Sequence, residues 1–147
     1  MAAPLRTALH AAVGVPRLFA AALRAGSGPV GATQVVLISA AATRVAASRG
    51  RGEPGRQNAV RHFAWQALIT ARLGLPVAQA VAEAQETGTP NAADSRVDRH
   101  NNAVGQEYGA AHADELAGGS VNAALGVLAG VALEKWAADE LLWVNDR

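Results

Sequence analysis

The sequence predicts an all-α fold, a bundle of about five to seven helices, and three observations carry that expectation. Alanine-rich stretches poor in β-branched residues run through most of the 147 residues, and alanine loses no side-chain entropy in a helix. Apolar residues recur at spacings of three and four, the period of one helix face. Glycine and proline stand where these stretches begin or end, at Gly26 to Pro29, at Gly74 and Pro76, and at Gly118 and Gly119. Half of the residues are hydrophobic, yet only three Trp, two Phe and one Tyr are present, so the core must be built of small aliphatic side chains. The length suits a single domain over residues 1–147 with a sizeable core. Basic, alanine-rich N-terminal helices over 1–48 are expected to form a hairpin, followed by a motif-bearing helical core over 57–147.

Taken in order, residues 2–25 read as helix in two pieces broken at Pro16. Leu5, Leu9 and Val13 give one stripe; Leu18, Phe19, Ala22 and Leu23 give the next. Gly26-Ser27-Gly28-Pro29 is a turn, and Thr33 to Ser48 a third helix centred on Val35 to Ile38. Arg44 and Arg49 close that run before the roughly 20 residues of a membrane span. Arg49 to Arg56 is a basic, glycine-rich boundary. Gln57 to Leu73 is the first motif helix, stopped by Gly74. Pro76 to Glu86 is the second, with proline in its first turn. Thr87-Gly88-Thr89-Pro90-Asn91 is a loop. Asp94 or Ser95 caps the third motif helix, which runs to about Leu116. After Gly118-Gly119, Ser120 caps a last helix from Val121 to about Leu142, with Leu125, Leu128, Ala132, Leu133, Trp136, Leu141 and Trp143 as its apolar stripe.

The net charge of +1 hides an asymmetry. Residues 1–72 carry nine arginines against one acid, Glu53, whereas residues 73–147 carry four basic groups against eleven acids. A basic first half suits phosphates, an anionic membrane surface, a protein partner or the chain's own acidic half. The basic residues are scattered with no recognition helix among them, so sequence-specific nucleic-acid binding is not expected. With no cysteine there is no disulfide, thiolate metal site or cysteine nucleophile. No clear signal peptide is present, and the compartment stays open between cytoplasmic and membrane-associated.

The polar residues that suggest chemistry gather between Asn58 and Gly109. On the first motif helix Asn58, His62, Trp65, Gln66 and Ile69 share one face, with Phe63, Ala67 and Leu68 beside it. On the third, Asp98, Asn102, Gly105 and Gly109 share a face edged by Asn101, Val104 and Tyr108. Each glycine weakens a helix by roughly 1 kcal/mol relative to alanine, and close approach of a neighbouring helix is the expected compensation. The two faces are therefore expected to pack together, bringing Asp98 and Asn102 to His62, with Glu86 arriving from the intervening helix. A carboxylate on one imidazole nitrogen would raise the basicity of the other.

Three roles compete for that cluster. His62 is a general base oriented by Asp98, with Arg61 or Asn102 stabilising an oxyanion. Alternatively His62, Glu86 and Asp98 ligate a divalent metal. In the third role the cluster only fixes helix register. Ser95-x-x-Asp98 also reads as a capping box, His100 and His112 as surface residues, Glu83 and Glu86 as exposed charges, and Arg61 as the partner of an acid in the second half. No Gly-x-Ser-x-Gly elbow supports serine catalysis.

The segments Asn58-Ala59-x-Arg61-His62-x-x-Trp65-x-Ala67-Leu68, Ala84-Gln85-Glu86 and Asp98-x-His100-Asn101-Asn102-x-x-Gly105 resemble an uncharacterised bacterial helical domain family. Its pattern is close to N-A-x-R-H-x-x-W-x-A-L, A-H-E and M-D-L-x-N-N-x-x-G. That family is one of short stand-alone proteins and of the C-terminal tips of repeat-containing, polymorphic-toxin-like proteins. The resemblance implies that Asn58, Arg61, His62, Trp65, Glu86, Asp98, Asn101, Asn102 and Gly105 form one site. Gln85 stands where the pattern has histidine, and Val97 where it has methionine. The expected function is a small hydrolase-like or toxin-like domain with His62, Asp98, Asn102 and Glu86 as its polar centre. Arg61, Asn58, Trp65 and Asn101 would bind a phosphate-containing substrate. The alternative is a non-enzymatic membrane-surface or protein-interaction module with a structural polar core.

Overall fold

In the computed structural model, which describes residues 3–87 and 92–143 (of residues 3–13 and 92–94 the backbone alone), the chain is all-α. Its helices are α1 (Ala3–Arg24), α2 (Gly28–Arg49), α3 (Pro54–Leu73), α4 (Leu75–Glu86), α5 (Ala92–Ala111), the short α6 (Ala113–Leu116) and α7 (Val121–Ala137). The hub is α3. It packs against α2, α4, α5, α6 and α7, and every residue from His62 to Thr70 is buried. Alanines such as Ala22, Ala32, Ala42, Ala59, Ala64, Ala67, Ala129 and Ala132 let the helices close on a few larger side chains, among them Ile38, Phe63, Leu68, Leu125 and Leu128. The shortage of aromatics thus becomes a core of closely spaced helices.

The contact between α3 and α5 differs from the others, because α5 brings amides and glycines to it. Asn58 bonds Asp98, His62 bonds Asn102, and Gln66 bonds Gln106. Each pair is separated by 40 residues. A constant offset with both indices rising means that α3 and α5 run parallel, joined by α4, with one polar rung per helical turn. The seam ends at Thr70, whose counterpart in this register is Ala110. Beside the rungs, a Cβ on Gly105 would come within 2.5 Å of the Phe63 carbonyl oxygen, and one on Gly109 would overlap the Ala67 carbonyl. Glycine is required at both positions because the two backbones touch there.

Several helix ends differ from those expected. α1 runs through Pro16 without a break; proline removes one backbone donor, and the remaining ladder of this alanine-rich helix is kept. Of its two expected stripes, Leu5, Leu9 and Val13 lie outside the described side chains. In the second stripe Leu18 and Ala22 are buried while Leu23 is exposed. α2 begins five residues earlier than Thr33, with Pro29 in its first turn. At 22 residues it is long and apolar enough to cross a membrane, against the expectation of too short a run. Here its buried stripe, Ala32, Val35, Ile38, Ala42 and Ala46, lies in the common core. α3 begins at Pro54 for the same first-turn reason.

α5 begins at Ala92, so Ser95 and Asp98 sit inside the helix and form no capping box. The loop expected over Thr87 to Asn91 lies, apart from Thr87, outside the described residues, as does the side chain of Asp94. The expected single helix to Leu116 breaks at His112, beyond which the Arg72 guanidinium holds the carbonyls of Leu116, Gly118 and Gly119. The last helix stops at Ala137, five residues short, because the chain turns through Asp139 at φ 59°, a conformation that aspartate tolerates. Leu141 therefore reaches the core from the segment after the helix.

Candidate functional site

His62 lies at the centre of the α3–α5 seam, 2% exposed. Its Nδ1 is 2.8 Å from the Asn102 Oδ1, and its Nε2 is 3.0 Å from the Arg61 Nη2. Arginine offers only donors, so Nε2 must be the acceptor, and Nδ1 carries the proton and donates to the Asn102 carbonyl oxygen. The imidazole is neutral in this arrangement. Burial first, and then the Arg61 charge, push its pKa down to about 4 from 6.5, against the opposing pull of Asp98 and Asn102. The expected carboxylate-activated base is thus corrected: an amide orients the ring, and a guanidinium covers its lone pair. Asp98 is nearby, with Oδ1 at 3.4 Å from Nε2, but its closer partner is the Asn58 amide, which donates to the same oxygen at 3.0 Å.

Arg61 does not pair with an acid. Its Nη2 donates to the Asn58 Oδ1 at 3.2 Å and to His62, and it forms no ion pair among the described residues. Burial lowers its pKa, with the Asp98 charge working the other way. The guanidinium lies against a pocket of about 60 Å³ lined also by His62 and Trp65 of α3, Leu18 of α1, Ser39 and Thr43 of α2, and Gln85 of α4. That is room for a few waters or for one small polar head group. Trp65 stands edge-on to His62 and donates its indole N–H to the Ser39 Oγ at 2.7 Å. The Ser39 and Thr43 hydroxyls are spent on the Val35 and Ser39 carbonyls. Arg61 is therefore the strongest donor the pocket offers.

The remaining expected site residues lie elsewhere. Glu86 does not reach His62. Its carboxylate faces Arg99 at 3.1 Å and is 8% exposed. Burial raises its pKa, and Asp98 adds to the rise, while Arg99 and the Ser95 hydroxyl oppose it. Asn101 is a clamp: its Nδ2 donates to the Leu142 carbonyl at 3.0 Å, and the Leu142 N–H donates to its Oδ1 at 2.9 Å. His100 is exposed and donates to the Glu140 carbonyl, and His112 stacks on Tyr108. No group of three His, Asp or Glu side chains suited to a metal occurs among the described residues, so His62, Glu86 and Asp98 do not form the ligand set envisaged for a divalent ion. Sequence reasoning missed Gln106, although Asp98, Asn102 and Gln106 continue one four-residue spacing. It also missed Ser39, Thr43 and Leu18, which carry no signal of their own within alanine-rich helices.

Residues 25–125 match the family model described as Domain of unknown function (DUF6973). The chain belongs to that family. The DUF6973 match contains every rung of the α3–α5 seam, the three motif segments and most of the Arg61 pocket, and leaves out α1, most of α7 and the segment after it. Gln85, the position at which the motif pattern has histidine, lines the same pocket as Arg61 and His62. No curated protein and no solved structure matches the chain.

Proposed function

We propose that this DUF6973 chain is a small hydrolase-like domain that takes a phosphate group onto Arg61 and uses His62 as its acid–base group. The observation that carries the reading is the state of Arg61: a largely desolvated guanidinium, bonded only to neutral side chains and facing a pocket. A buried cation with no carboxylate in direct contact is costly, Asp98 acting on it only across His62 and Asn58, and an anion entering the pocket would supply that contact. Bidentate phosphate is the geometry that guanidinium suits best.

In this reading the anion draws Arg61 away from Nε2 and so uncovers the lone pair. Nε2 takes a proton from a water as its oxygen attacks phosphorus. Asp98, then the nearest carboxylate, and Asn102 stabilise the imidazolium. The P–O bond to the leaving group breaks, and Nε2–H returns the proton to that oxygen. Arg61 holds the charge that builds on the non-bridging oxygens. A toxin-like use of this chemistry is part of the proposal, suggested by the motif resemblance.

The test is turnover of p-nitrophenyl phosphate and bis-p-nitrophenyl phosphate, with and without added divalent ions. Activity lost in Arg61→Ala and in His62→Asn supports the proposal; no turnover and no phosphate binding refute it. A second reading, in which the cluster only sets the register of α3 on α5, is favoured by one observation: the three rungs form a regular ladder whose other members, Asn58–Asp98 and Gln66–Gln106, do not line the Arg61 pocket. Unaltered phosphate binding after Arg61→Ala would select it.

A further inference from the structure

The seam between α1 and α4 opens twice. Leu18 and Gln85 line the Arg61 pocket, and their chain neighbours Arg17 and Ala84 line a second, open groove of about 490 Å³. That groove holds Arg24 as well, with Glu83 and Thr87 on its α4 side. Arg17 and Arg24 are seven residues apart on one face of α1, about 10 Å along the axis. Neither forms an ion pair among the described residues, Glu83 included. The Thr87 hydroxyl is turned to the Ala84 carbonyl, so the two guanidinium groups are the groove's available donors. Both arginines lie on α1, outside residues 25–125, whereas the α4 side of the groove lies inside them.

We infer that this groove is a second anionic subsite, and that the ligand is a linear one with several phosphates in series, its end on Arg61 and its continuation on Arg17 and Arg24. A single phosphate would occupy the Arg61 pocket alone, since that pocket has space for one small head group. On this inference a chain of phosphates whose end is in the pocket crosses the α1–α4 seam to two further cations about 10 Å apart along α1. Glu83 is the one carboxylate lining the groove and repels such a chain, which limits its affinity and favours its release. The inference rests on the Arg61 reading for the position of the terminal phosphate, but the groove can be tested apart from it.

The experiment is calorimetric titration of the full chain at low salt with inorganic orthophosphate and with inorganic tripolyphosphate. Tripolyphosphate is expected to bind at least about tenfold more tightly, two partly exposed guanidinium contacts being sufficient for that ratio. The double variant Arg17→Ala/Arg24→Ala should abolish the preference and leave orthophosphate affinity unchanged. Alanine at these helix positions keeps the fold. Glu83→Gln should strengthen tripolyphosphate binding by about threefold. Equal affinity for the two probes, or a preference that survives the double variant, overturns the subsite. Tripolyphosphate binding that needs Arg17 and Arg24 while orthophosphate fails to bind would keep the groove and reject the Arg61 reading. Orthophosphate binding that needs Arg61, with no effect of the double variant, would do the reverse.

Discussion

When the pH falls from 7 to 5, the unfolded chain takes a proton on His62 while the folded chain does not. The folded pKa is depressed to about 4 from 6.5 by burial and by Arg61. A depressed group of this kind leaves stability intact above its unfolded pKa, and stability is then lost as the pH drops toward the folded value. Integrating the difference in bound protons gives a loss of about 2 kcal/mol between pH 7 and pH 5, and a further loss of about 1 kcal/mol by pH 4. Glu86 works in the opposite sense, because its raised pKa lets the folded chain hold a proton sooner. The assay is therefore a comparison: urea unfolding at pH 7, 6 and 5 for the parent and for His62→Asn. Asparagine can still donate to Asn102 but does not titrate, and Glu86 is common to both proteins. The parent should lose about 2 kcal/mol more than the variant over this range. Equal losses in the two proteins would refute the placement of a neutral, desolvated imidazole at the seam.

Other expectations follow from single contacts. Gly109→Ala places a methyl on the Ala67 carbonyl and should cost about 3 kcal/mol by overpacking; Gly126→Ala, on an α7 position with open space around it, should leave stability unchanged or raise it by up to about 1 kcal/mol. Thermal melting of the two variants checks the contrast. Asn101→Ala removes both bonds to Leu142 and should destabilise by about 2 kcal/mol, with faster hydrogen exchange at Leu141 and Leu142 than at α3 amides. Gln85→His changes an exposed pocket residue; it should leave the melting temperature unaltered and change p-nitrophenyl phosphate turnover, measured side by side with the parent.

The parts of this architecture that were legible in the sequence are those written at helical spacing. Asn58, His62 and Gln66 repeat every fourth residue within apolar surroundings, and Asp98, Asn102, Gly105 and Gly109 recur at spacings of four, three and four on α5. Polar groups in that setting need partners, and the two glycines signalled a close backbone approach, so the pairing of the two faces followed. The contact between Arg61 and His62 did not. Adjacent helical residues point about 100° apart, and only the long arginine side chain, turned back along α3, reaches the imidazole. Burial and then that contact reverse the expected electrostatics of the site. Asn101 was misread because its partner, Leu142, is a backbone segment 41 residues away with no pattern of its own. The helix ends missed at Gly28 and Pro54 share one cause: proline read as a boundary stands inside the first turn. Pro16 shows the same tolerance in mid-helix.

The proposed function has Arg61 cover His62 and leave it when an anion binds. It is tested most directly by following the His62 ring nitrogens by NMR during a pH titration, with and without saturating inorganic phosphate. Without phosphate the ring should be the neutral Nδ1–H form throughout the range above pH 5. With phosphate, the Nε2 resonance should shift saturably, and the His62 pKa should rise by about one unit or more as the Arg61 charge is neutralised. A ring that already titrates near 6.5 without phosphate, or one whose Nε2 signal and pKa ignore phosphate, would contradict it.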